Sequence, residues 1–259
     1  MQFPSFHLEP SLETFADPAL DKSYRIYNTL GSRNQVTPLQ VLAKDTMTRA
    51  RTTPDAVAAT LRAAIVRGVL RAAEPLKADD IAAQLGVSHI PVREALRQLE
   101  SEGLVTIYPN RGAIVASLEA RDVLEIYDIR KTLESAALRQ SLPQLTKPTL
   151  RRAEAILAEY ELETDTRRWG ELDLEFHATL YTLEDRPRLL GIINTLRNQV
   201  DRYFHVFPLA VKQRDAFQRD HRAILKACAQ GDVDLAVQTL ETHLERTATV
   251  LLEGFKQAV

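Results

Sequence analysis

Between Asp79 and Val115 the apolar positions change period twice. Ile81, Ala82 and Leu85 recur at the spacing of one helix face, Gly86 interrupts the run, and Val92, Ala95, Leu96 and Leu99 follow at i, i+3, i+4 and i+7. Those intervals put an apolar stripe on each of two successive helices, with glycine making the turn between them. Ser88 stands where a side-chain oxygen caps the second helix, and Pro91 sits near its first turn, where a missing N–H does no harm. His89, Arg93 and Arg97 repeat every fourth residue on another face, so the second helix packs on one side and offers cations on the other. After Gly103 the period falls to two. Leu104 to Ile107, the turn Tyr-Pro-Asn-Arg-Gly, and Ala113 to Val115 predict a hairpin, with Arg111 in its turn. Short helix, turn, longer amphipathic helix and hairpin is the order of a winged helix-turn-helix, a reader of double-stranded DNA.

From Glu119 onward the helical period persists and no strand pattern interrupts it. The spacing predicts six helices, over about residues 119–141, 147–164, 166–184, 187–206, 211–229 and 232–256, packed as an antiparallel bundle. Pro143 and Pro148 bracket the first break, Pro187 begins the fourth helix, Pro208 ends it, and Gly231-Asp232 separates the last two. The fold class is therefore mainly α, a winged helix-turn-helix with a small β wing followed by an all-α bundle. Residues 1–50 match neither pattern and are expected to be disordered or to precede a true start at Met47. The reader is assigned to 51–118 and the bundle to 119–259.

Composition adds little to this division and contradicts none of it. A length of 259 residues suits two modest domains, and 45% apolar with 26% charged residues is ordinary for a globular chain. The net charge of −2 hides an uneven split, because residues 47–118 carry nine Lys/Arg against seven Asp/Glu. The small excess falls on the predicted reader. One cysteine, Cys228, cannot form an internal disulfide. No apolar run approaches the ~20 residues of a membrane span, and the first residues lack a basic region followed by an apolar one. A cytoplasmic protein is expected by elimination.

Four of the six histidines fall in the bundle. Asp173 and His177 are four apart in WGELDLEFH and project from one helix face, while His221 and His243 flank the Gly231 break almost symmetrically. Folding the last two helices into a hairpin brings those imidazoles level. One carboxylate and three imidazoles suit a divalent metal such as zinc, nickel or manganese. Asp201 and His205 offer the same i, i+4 spacing on the next helix, and spacing alone does not choose between the two pairs.

The segment GVSHIPVREALRQLESEGLV and the wing behind it resemble the DNA-binding domain of the GntR family of bacterial transcription regulators over about residues 54–117. The resemblance implies that Arg93 contacts bases or nearby phosphates and that Gly112 lets the wing backbone approach DNA, with Ser88, His89, Arg97 and Arg111 on the same surface. His89, where the family more often has arginine, and Asp79, where it can carry a basic contact, depart from the pattern, so the operator sequence does not carry over. RKTLESAAL, DLEFH and DHRAILKACAQGDVDLAVQTLETHL resemble the FCD effector-binding domain over about residues 120–250, in its six-helix, VanR-like version rather than the seven-helix FadR type. That resemblance implies Asp173, His177, His221 and His243 as metal ligands. It also directs Arg130 toward the carboxylate of an effector, against the alternative of a salt bridge to Glu134, with Arg202 a second, weaker candidate.

The function expected is a homodimeric regulator, a repressor rather than an enzyme, bound to a near-palindromic operator and controlled by a small carboxylate near the metal. Two other readings use the same residues. A metallohydrolase would exploit water on the metal, but Glu175 is two residues from Asp173 and points away from it, so no base is evident. A direct metal sensor would need no acid at all.

Overall fold

The computed structural model describes residues 36–47, 52–109, 111–183, 185–204 and 207–257. Helix α1 spans Pro38–Met47 and α2 spans Thr53–Val66. Thr52 caps α2 by accepting the Asp55 N–H. After β1 (Pro75–Leu76), α3 (Ala78–Leu85) ends at Gly86 and α4 spans His89–Ser101. The stripe Val92, Ala95, Leu96 and Leu99 is buried as its spacing requires. Ser88 occupies the N-cap of α4 but makes no side-chain capping bond, so the boundary is as expected and the cap is not.

The wing consists of β2 (Val105–Tyr108) and β3 (Gly112–Val115), paired antiparallel with Val105 opposite Val115 and Ile107 opposite Ala113. β1 adds to the other edge of β3, giving the order β1-β3-β2 and a third strand that two-residue patterning cannot reveal. Leu61, Ile65, Leu99, Leu104 and Val115 form the dry centre of this domain. Leu39 and Leu42 of α1 join the same core.

The expectation of an unstructured segment up to residue 50 is corrected over α1. Its Gln40 side chain donates to the Gln84 carbonyl at 3.0 Å, and the Thr46 and Thr60 hydroxyls lie 2.5 Å apart. Residues 1–35 and 48–50 lie outside the described residues, as does His205.

The second domain comprises α5 (Ala120–Ser141), α6 (Lys147–Leu162), α7 (Thr166–Leu180), α8 (Pro187–Asp201), α9 (Pro208–Lys212), α10 (Arg214–Gln230) and α11 (Val233–Gln257). The six long helices are the predicted six. The five-residue α9 is additional, because Pro208 opens a short helix instead of closing a long one. α7 stops at Leu180, earlier than periodicity suggests, and its buried end is satisfied from another helix, where Ser141 Oγ donates to the Leu180 carbonyl at 2.6 Å. α5 packs along α11, α10 against α11, and α6 against α7, with α8 laid across α5. Phe176, Leu180, Leu138 and Ile193 are wholly buried at the centre.

The two domains meet at polar contacts. Gln199 of α8 donates to the Glu102 carbonyl at the end of α4 at 2.8 Å. Arg67 after α2 pairs with Glu171 of α7 at 2.5 Å, and the Leu118 N–H donates to the Tyr203 hydroxyl at 2.8 Å. Gly103 has φ +70°, and a β-carbon there would lie 2.6 Å from Gln199 Nε2. The left-handed backbone favours glycine there, and a side chain would push the Gln199 amide from its place on the Glu102 carbonyl.

The packing of α1 gives a direct test by chemical denaturation. Leu42→Ala should lower the stability of the reader by about 2–3 kcal/mol, whereas Val41→Ala, on the exposed side of the same helix, should change it by less than about 0.5 kcal/mol. Equal effects at the two positions would contradict the docked helix.

Candidate metal centre and nucleic-acid interface

The residues expected to meet DNA lie on the face of α4 that its core leaves free. His89, Arg93 and Arg97 are exposed along it, Ser88 is exposed at its start, and Arg111 and Gly112 are exposed at the tip of the wing. Gly112 enters β3 at φ +92°, a backbone that other residues rarely adopt. Glu102, just past α4, is gripped by Arg62 of α2 through two bonds of 2.6 Å, which fixes the far end of the recognition helix. The two departures from the family pattern face one another, with His89 Nδ1 lying 3.0 Å from Asp79 Oδ1. Asp79 therefore holds His89 at the mouth of the helix-turn-helix as well as withdrawing positive charge from it.

In the bundle, Asp173 and His177 lie one turn apart on α7, His221 on α10 and His243 on α11. One ligand atom from each comes within 4.8 Å of all the others. Ligands bound at ~2.0–2.2 Å to a single ion stand at most ~4.4 Å apart, so the four close on an ion with side-chain shifts of a few tenths of an ångström. The three imidazoles are buried. His221 Nε2 lies 3.1 Å from Asp173 Oδ1 and 3.3 Å from His177 Nε2.

The tautomer of His177 follows from its neighbours. Tyr181 gives its one hydroxyl proton to Glu134 Oε2 at 2.8 Å, so at 3.3 Å its oxygen can only accept from His177 Nδ1. Nε2 is left bare and faces the cluster, the arrangement a metal-binding histidine needs. Burial, with Arg197 nearby, holds the His177 imidazole well below the usual histidine range. Burial, with His221 beside it, brings His243 down to about 4. Both are neutral at neutral pH.

One element holding this cluster is absent from the sequence reading. Arg197 of α8, 1% exposed, donates to Glu134 at 2.9 Å and to Asp173 Oδ2 at 2.5 Å. Glu134 also accepts from Arg130 Nε at 2.7 Å. Burial acts against both carboxylates, but Arg197 and the neighbouring cations outweigh it and hold Asp173 and Glu134 below their ordinary values. Arg197 sits four residues after Ile193 on the apolar stripe of α8, and a cation on such a stripe is the signal that marks it.

Beside the cluster lies a cavity of about 50 Å³, several times the ~10–15 Å³ that one water requires. Asp173 and His243 of the cluster line it together with Arg130, Tyr127, Asp201 and Trp169. Arg130 makes the salt bridge, with Nε on Glu134, and its buried Nη1 has no hydrogen-bond partner among the described residues. Arg202 is also buried but is not among the residues lining the cavity. Asp201 is, and burial raises its carboxyl to about 6. Glu175 pairs with Arg152, on the outside of α7.

Comparison with known proteins places both halves. Residues 53–115 match the bacterial regulatory proteins of the gntR family and residues 125–246 match the FCD domain. The Nta operon transcriptional regulator of Aminobacter aminovorans is 30% identical over 195 residues, 73% of this chain and 90% of that protein. The HTH-type transcriptional repressor RspR of Escherichia coli K12 is 27% identical over 188 residues, 71% of this chain and 82% of that protein. Among solved structures, a GntR transcriptional regulator from Rhodococcus sp. RHA1 superposes with a TM-score of 0.69 at 30% identity, covering 77% of this chain and 97% of that one.

Two measurements test the centre. His221→Ala should reduce the divalent metal carried by purified protein to background, and full occupancy would remove His221 from the ligand set. In chelated protein, stability should fall on acidification. Between the unfolded histidine value of 6.5 and the folded value of about 4 for His243, the unfolded chain binds a proton that the folded chain refuses, and His177 acts in the same direction. Asp201 opposes this, since its folded form takes up a proton near 6. Two imidazoles against one carboxylate leave a net loss of about 1 kcal/mol per pH unit below about pH 6, and a thermal midpoint unmoved from pH 7 to about pH 5 would contradict the buried neutral pair.

Proposed function

The chain belongs to the GntR family of bacterial regulatory proteins, with an FCD domain behind its winged helix-turn-helix, and from that premise we propose a repressor controlled by a small carboxylate. It is a DNA-binding transcription regulator, and no helix among its described residues is long and apolar enough to cross a membrane. In the reading proposed, a homodimer sets two copies of α4 in successive major grooves of a near-palindromic operator, about 34 Å apart. Arg93 and Arg97 meet base edges or phosphates, His89 and Ser88 flank them, and Arg111 and Gly112 bring the wing to the backbone.

Asp173, His177, His221 and His243 would hold a divalent ion, with zinc, nickel and manganese all suited to three nitrogens and one oxygen. Such an ion supplies open coordination positions for a carboxylate. Charge supports the same occupant. Two guanidinium groups, Arg130 and Arg197, face three carboxylates, Glu134, Asp173 and Asp201. A divalent ion therefore leaves one positive charge in excess, which a single carboxylate neutralises. Arg130 presents an unpartnered guanidinium nitrogen and Arg202 a second buried cation farther off.

The observation that carries the reading is the reach of α8. Within five residues it holds Arg197 on Asp173, Gln199 on the backbone at the end of the recognition helix, and Asp201 in the cavity. A ligand that shifts Arg197 or Asp201 moves Gln199 with them, because a helix transmits displacement along its axis. Control requires only that the acid bind the two arrangements with different affinity.

Gel-shift titration separates the possibilities. Release of DNA by acid only when metal is present supports the proposal, release by metal alone identifies a metal sensor, and no response to either excludes both. Arg93→Ala should weaken operator binding roughly 5- to 150-fold and leave the thermal midpoint within about 1 °C, since one good base contact is worth ~1–3 kcal/mol. Unchanged affinity would remove Arg93 from the interface. Gln199→Ala should leave metal and acid binding intact and shrink the effect of acid on DNA affinity, and a full response would show that coupling runs elsewhere.

A further inference from the structure

Asp201 gives the cavity a hydrogen-bonding group that the protein leaves unmatched. Asp201, 7% exposed, makes no hydrogen bond or ion pair among the described residues, although Asp173 and Glu134 each have partners at 3.1 Å or less. It is not one of the four residues whose ligand atoms converge. Close by, the buried Tyr127 hydroxyl and Arg130 Nη1 also lack partners, and all three residues line the same space. A buried carboxylate without a donor is among the costliest groups a fold can retain. Asp201 is thus an acceptor at the cavity for which the protein supplies no donor, the mark of a binding surface whose other half is absent.

We propose that Asp201 reads a hydrogen-bond donor on the effector, so that the ligand class is a small monocarboxylate bearing a hydroxyl or amino group. The proposal rests on the carboxylate reading above and narrows it. The acid group goes to the positive side of the cavity, between the four-residue cluster and Arg130, and the O–H or N–H turns to Asp201. Tyr127 offers a hydroxyl that either donates to the ligand or accepts from it. An unsubstituted acid leaves Asp201 unpaired beneath an apolar chain. A dicarboxylate sets its second anion against the Asp201 anion. Trp169, Phe204 and Phe217 add apolar lining to the cavity, which leaves discrimination to the one carboxylate that has no partner of its own.

The test uses full-length, metal-loaded protein and matched sets of unsubstituted, hydroxy and amino monocarboxylates of increasing chain length, with the corresponding dicarboxylates. Affinities are measured by thermal shift and calorimetry for wild type and Asp201→Asn. In wild type, hydroxy or amino acids should bind roughly 10- to 100-fold more tightly than their unsubstituted and dicarboxylate partners, the range for a hydrogen bond to a charged group. Asp201→Asn should remove that preference, improve dicarboxylate binding and leave unsubstituted acids unchanged. A role for Asp201 only in stabilising the neighbouring arginines predicts the opposite: lower stability without ligand and an unaltered ranking. Wild type that binds unsubstituted acids as tightly as substituted ones overturns the inference while keeping the carboxylate reading, whether or not the variant folds. Failure of every acid to bind overturns both.

Discussion

The bundle is organised around one buried cation. Arg197 reaches from α8 to Glu134 on α5 and Asp173 on α7, and without it two carboxylates would stand in the core with too little positive charge between them. A pair of this kind contributes little net stability, because desolvation nearly offsets the attraction. What it supplies is position. Asp173 is held by its Oδ2 so that Oδ1 faces His221, and Glu134 is held so that it can take the Tyr181 proton and thereby set the tautomer of His177. Removing one partner leaves an unpaired buried charge, and the geometry of the metal centre would be lost with it.

This dependence explains what was legible in the sequence. The stripe of α4, the glycine turn and the wing are local patterns, and each lies where its period put it. The four metal-cluster residues were indicated by the symmetry of His221 and His243 about Gly231 and by the i, i+4 pair, with the family resemblance needed to reject Asp201 and His205. Arg197 and Tyr181 were not assigned to the centre, because their roles come from pairings between helices that no local period encodes. A charged residue on an apolar stripe was the available sign for Arg197. β1 is two residues long and α1 lies in a stretch interrupted by proline, so neither rises above the background of a single sequence.

The same contrast applies to Arg130. As a sequence position it invites a choice between a salt bridge and a ligand contact. In the fold the salt bridge is made, with Nε on Glu134, and Nη1 is left buried without a partner among the described residues. Glu134 thus fixes Arg130 as it fixes Tyr181, and one buried glutamate organises two side chains of the candidate site.

The contact at Gly103 has a consequence for how such proteins diversify. The reader and the bundle touch where a side chain larger than hydrogen would collide with Gln199, and where the amide of Gln199 needs the carbonyl of Glu102. The two domains are therefore not interchangeable cassettes. A chimera that joins this bundle to another reader keeps the seam only if it carries the glycine and the amide together. The inheritable module is the domain together with the few atoms it presents to its neighbour.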